Sequence, residues 1–130
     1  MPTPHTYDYA TIRVVPRVER EEFINVGVIV SCPTARHLEA RIEIDEARLR
    51  AFAPSLDIEA LRPYLDAIVA ICRGEAGAGP IAALPPRARF HWLTAKRSSI
   101  VQVSPAHVGR TTAPEQIVEH LMTRMVRVPD

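Results

Sequence analysis

Lysine is almost missing from this chain: of its 16 basic residues, only Lys96 is not arginine. A surplus of positive charge is missing as well, since 15 acidic residues leave a formal net charge of +1. That balance excludes a generic coat for nucleic acid or membrane surfaces, which binds through a marked basic excess. No apolar run approaches the ~20 residues that cross a bilayer, and residues 1–10 lack the basic start and apolar stretch of a secretory leader. The reading is a cytoplasmic protein that makes no use of membranes. Cysteine is scarce: Cys32 and Cys72 have no C-x-x-C pair and no histidine at ligand spacing, so buried free thiols are expected rather than a zinc or redox site. The histidines, at 5, 37, 91, 107 and 120, are scattered without metal-ligand spacing. Phosphate-binding glycine motifs and the G-x-S-x-G nucleophile elbow are absent, and no cofactor is indicated.

What is present reads as one domain over residues 1–130, long enough to bury a core. Tyr7 to Val15 alternates, with Ala10, Ile12 and Val14 on one face and Tyr7, Tyr9, Thr11 and Arg13 on the other. Phe23 to Cys32 is rich in β-branched residues and stops at Pro33. Strict alternation would set Ile24, Val26, Val28, Val30 and Cys32 on one side and Phe23, Asn25, Gly27, Ile29 and Ser31 on the other. Leu38 to Ile44 predicts a third strand and Ile100 to Val103 a fourth. Asp45 is placed to cap a helix over 46–52, and Asp57 opens a second apolar stripe that ends at Gly74, with Pro63 either kinking that helix or delaying its start. Residues 74–88 read as an internal Gly/Pro-rich loop. Arg89 to Leu93 is ambiguous between strand and helix, and 106–111 reads as loop. Thr112 and Glu115 have capping-box spacing ahead of an apolar stripe of Ile117, Val118, Leu121, Met122 and Met125. The fold class is α+β: an antiparallel sheet of about four strands with two or three helices packed on one face.

Charge is unevenly distributed. Residues 1–75 hold 9 basic and 12 acidic groups, residues 76–130 hold 7 and 3, and from Ala76 to Pro114 there is no acid at all. That stretch contains Trp92 and the run Lys96-Arg97-Ser98-Ser99, where two cations beside two hydroxyls form an anion cradle. A second candidate is the polar face of the early strands, where Arg13, Asn25 and Arg41 fall among aromatic and aliphatic neighbours. Such a face is normally covered, by the C-terminal segment, a second subunit or a ligand. Ser98 or Ser99 with a histidine lacks an acid to orient the base, and Glu21 and Glu22 point apart, so catalytic pairings are weak.

Taken together, Tyr7, Tyr9, Ile12-Arg13, Pro16, Glu22-Phe-Ile-Asn-Val-Gly-Val28, Cys32-Pro33, Arg41, Arg48, Trp92-Leu-Thr94, Arg97-Ser-Ser99 and Gln102 resemble the bacterial family catalogued as domain of unknown function 3037. The resemblance implies a small bacterial protein with no assigned activity, cofactor or catalytic residue, and a HipA-type kinase-like protein as partner. Its motif residues fall on both candidate sites, which predicts one composite ligand site of Arg13, Asn25, Arg41, Trp92, Arg97, Ser98 and Ser99. The function expected is a non-enzymatic binding or accessory module for an anionic ligand or partner protein, with a homodimer as a further possibility. The alternatives are phosphoryl or nucleotidyl chemistry, which would need Glu22 or Glu43 beside the arginines, and nucleic-acid binding.

Overall fold

One extra residue in the second strand decides how the chain is layered. In the computed structural model, which describes residues 3–95 and 99–129, β1 (His5–Val14), β2 (Ile24–Cys32) and β3 (His37–Ile42) form antiparallel neighbours in the order β3-β2-β1. The far edge of β1 is shared: β4 (Val101–Val103) lies opposite Ile12 to Val14, and β5 (His107–Thr111) opposite His5 to Tyr9. Along the β1–β2 ladder Ile12 faces Gly27 but Arg13 faces Asn25, so Val26 is a bulge. The bulge overturns the strict alternation expected of β2. Ile24, Val26 and Ile29 pack into one core with Ile12 and Val14, whereas Val28 and Val30 lie on the opposite face. Gly27 permits this geometry, because a Cβ there would sit 2.4 Å from the Arg41 carbonyl oxygen on β3.

Both faces of the sheet are therefore apolar, and both are covered. Helices α1 (Glu46–Phe52), α2 (Ile58–Arg73) and α3 (Pro86–Leu93) send Leu49, Ile58, Leu61, Leu65, Ile71, Phe90 and Leu93 into the first core. On the other face α4 (Ile117–Leu121), continued by a π-helical turn over Met122–Val126, seals Val28, Val30, Tyr7 and Tyr9 with Ile117, Val118, Leu121, Met122 and Val126. Of the three covers weighed for that face, the C-terminal segment supplies it.

The capping chemistry explains the helix limits. Asp45 accepts from the Arg48 amide (3.1 Å) and Asp57 from the Ala60 amide (3.2 Å). α2 runs unbroken through Pro63 to Gly74, whose φ of 65° is the left-handed value a C-terminal glycine supplies cheaply. Its last carbonyls are satisfied by Arg89, which donates to Ile71 (2.9 Å) and Cys72 (2.7 Å) from α3. Burial pushes the Cys72 thiol up to about 12, and both cysteines are free.

Residues 89–93 take the helical one of their two alternatives. Four local readings are corrected. The loop read over 74–88 stops earlier, because Pro86 at the first helical position starts α3 within it. Residues 107–111 form β5 and not a loop, since the chain re-pairs with β1 after Pro105. The third strand ends at Ile42, short of Ile44. The Thr112/Glu115 capping box does not form: β5 runs to Thr111, whose Oγ1 accepts from the Ala113 amide (3.0 Å), and Pro114 opens a tight 3-10 turn from Ala113 instead.

Candidate functional site

Arg13 and Asn25 are cross-strand partners at the bulge, on the face that the C-terminal segment covers. Asn25 donates from Nδ2 to the Met125 carbonyl (3.0 Å), which fixes its amide. The Arg13 guanidinium lies over the Phe23 ring, 4.3 Å from its centroid, and Phe23 is 43% exposed, so this cation–π pair sits at the surface. Arg13 Nε and Asn25 Oδ1 are buried, and neither forms a hydrogen bond among the described residues. On its other side Arg13 faces Gln102 of β4, whose amide donates to the Ser99 carbonyl (2.8 Å).

Arg41 is differently employed. It pairs with Val28, three residues along β2 from Asn25, and its guanidinium meets Glu39 (3.0 Å) and Glu119 (3.5 Å). Arg127 completes this cluster by holding both Glu43 and Glu119. Hydrogen bonding from Arg127, helped by the charges of Arg127 and Arg41, keeps the Glu119 carboxyl below the usual range. The cluster pins the C-terminal segment to β3, and Arg48 adds a bond to the Val126 carbonyl (3.0 Å).

Trp92 and Ser99 line an apolar groove of about 750 Å³ on the opposite side of the sheet. Its walls are the Ala60, Tyr64 and Ile68 side of α2, the end of α3 at Trp92, and the Val101 and Val103 side of β4. Tyr64 (67% exposed) and Trp92 (40%) stand at its rim. Arg97 and Ser98 lie outside the described residues. Of the seven residues expected in one site, Arg13 and Asn25 are brought together, Arg41 is held in an ion-pair cluster, and Trp92 and Ser99 belong to the groove.

Two features escape the sequence. The stacking of Phe23 on Arg13 depends on where β2 begins, although the spacing of Arg13 and Phe23 either side of a short connector offers a hint. The groove depends on a second stripe of α2, Ala60-Tyr64-Ala67-Ile68, that lies beside the buried one. Reading helical period on both flanks of Leu61 and Leu65 would have found it.

Residues 9–126 match the family model described as "Protein of unknown function (DUF3037)". The chain belongs to this family. The match spans β1 to the π-helical turn and so takes in both the Arg13–Asn25 pair and the groove. No curated protein and no solved structure matches the chain. No helix among the described residues is long and apolar enough to cross a membrane.

Proposed function

We propose that this family member is a non-enzymatic binding module that receives an anionic group of a partner protein at Arg13. One comparison carries the reading. Among the described residues the half-buried arginines are Arg13, Arg41, Arg48, Arg62, Arg89 and Arg127. Five of them give their guanidinium groups to protein oxygens: Arg41 to Glu39, Arg48 to Val126, Arg62 to Glu46 and Glu59, Arg89 to helix carbonyls and Arg127 to Glu43 and Glu119. Arg13 has the Phe23 ring and no acceptor oxygen among the described residues. A buried donor without an acceptor costs free energy, as at Arg13 Nε, and an incoming carboxylate or phosphate recovers it through charge-assisted hydrogen bonds.

The carboxylates that phosphoryl or nucleotidyl chemistry would need beside Arg13 are engaged elsewhere, Glu22 with Arg20 and Glu43 with Arg127. This favours recognition over group transfer. A HipA-type kinase-like protein is the partner to try first, on the strength of the family resemblance. The test uses inorganic phosphate as the probe and the Arg13 Nε–Hε resonance as the readout. Saturable shifts of that resonance and of the side-chain amide of its cross-strand neighbour Asn25 are expected in the wild type, with the Asn25 shift lost in Arg13→Gln. An unmoved resonance at millimolar phosphate overturns the reading.

A further inference from the structure

The β4 edge combines a strand edge without a partner among the described residues with an apolar groove beneath it. Its ladder to β1 is defined by Val15 N–H to the Ile100 carbonyl (2.6 Å) and Ser104 N–H to the Thr11 carbonyl (2.8 Å). Even-numbered residues of β4 therefore bond to β1, and the backbone groups of Val101 and Val103 point away from it. The Ser99 hydroxyl takes the Val101 carbonyl. Among the described residues that leaves the Val101 and Val103 amides and the Val103 carbonyl without a strand beside them, for β4 has β1 as its one described neighbour in the sheet. Edges of this kind are blunted by short length, charge or proline; β4 is short, but Ser99 to Val103 carries neither charge nor proline. Directly under this edge lies the groove, with Ala60, Tyr64 and Ile68 on one wall and Trp92 at its end. Ile100, 43% exposed, stands at the same mouth.

Strand-edge amides alone would take a polar ligand, and an apolar groove alone a greasy one. Side by side they fit an extended peptide, whose backbone pairs with the edge while every second side chain enters the groove. Charge selects the other set of side chains. From Ala76 to Pro114 the chain has no carboxylate, and the opposite face of this edge carries Gln102 with Arg13 behind it on β1. Asp57 is the one carboxylate on the groove wall, and it caps α2.

We propose that the β4 edge and the groove beneath it take an extended segment of a partner protein as an added strand, with aliphatic residues facing the groove and acidic residues on the alternate face. The acidic half of this proposal rests on the reading of Arg13 as an anion receptor, and the edge and groove do not. The probe is the synthetic peptide acetyl-Glu-Val-Glu-Val-Glu-Val-amide, titrated into the full chain. Amide exchange at Val101 and Val103 should slow, and the emission of Trp92, the only tryptophan, should shift to shorter wavelength. Tyr64→Glu sits at an exposed position, leaves the fold intact and should weaken binding about tenfold by setting an unpaired charge against the apolar wall. A Lys-for-Glu version of the peptide should bind more weakly than the acidic one. No protection of Val101 and Val103, with the phosphate-induced shift at Arg13 intact, overturns this proposal and leaves the anion reading standing. Protection with equal affinity for the acidic and lysine peptides overturns the acidic half, and an unmoved Arg13 resonance with phosphate overturns that reading with it. Protection that rises with protein concentration without peptide identifies a second copy as the occupant, and overturns the proposal of a separate partner.

Discussion

Two glycines show how much depends on what a missing side chain would touch. At Gly27 the added methyl would lie 2.4 Å from a backbone carbonyl of β3, which cannot move without breaking the ladder. At Gly109 it would meet the Tyr7 ring, which can swing aside. Gly27→Ala should therefore cost about 1–3 kcal/mol in denaturant unfolding, as overpacking does, and Gly109→Ala clearly less. Equal losses would mean that the β2–β3 approach is softer than its geometry implies. The residue types were legible at this scale: Arg13 and Asn25 share a polar face because period-2 alternation holds along β1. Their isolation from Arg41 was not, because side-chain pairing across three strands depends on the register set by the Val26 bulge.

Elements whose limits are written in side-chain chemistry could be read directly. Asp45, Asp57 and Gly74 mark helix ends by local hydrogen bonding and backbone preference, and α1 and α2 follow them. Asp57→Ala should cost about 1 kcal/mol by thermal or denaturant unfolding, since the Ala60 amide loses its acceptor. Elements defined by distant pairing could not be read in this way. Residues 107–111 become β5 only because β1 is long enough to hold two partners along one edge, and nothing in His107-Val-Gly-Arg-Thr111 alternates strongly. The bulge hides in a run of β-branched residues that fits either face, so the sequence pattern of β2 is compatible with the wrong one. The cost of that ambiguity is the function of α4, whose apolar stripe is plain but whose target, Val28 and Val30, is not.

Across the whole molecule, the C-terminal segment is what turns a one-sided sheet into a layer between two cores. It is fastened by apolar contact with Val28 and Val30 and at its rim by Arg127, which bridges Glu43 on the β3 side to Glu119 of α4. Glu119 is held below the ordinary carboxylate range, so its contribution to stability is present at neutral pH and is lost as pH falls through its lowered folded value. In Arg127→Gln that carboxyl returns toward its ordinary value. The variant should lose part of the wild type's stability at pH 7, and the gap should begin to narrow as pH falls through about 4.3, where the unfolded carboxyl protonates, and close only below the lowered folded value. Thermal melts from pH 7 to pH 3 read this directly. A gap that persists unchanged in acid would assign the effect of Arg127 to packing and not to charge.

The central claim, that Arg13 serves a partner and not the fold, is tested most directly by capture from the native host. Tagged wild type and tagged Arg13→Gln are used side by side, with captured proteins identified by mass spectrometry and both melting temperatures measured. The account predicts a protein retained by the wild type and absent from the variant, with melting temperatures nearly equal, because the Arg13 side chain makes no hydrogen bond or ion pair among the described residues and only a surface contact with the Phe23 ring. The same captured set from both chains, or a variant that no longer folds, would contradict it.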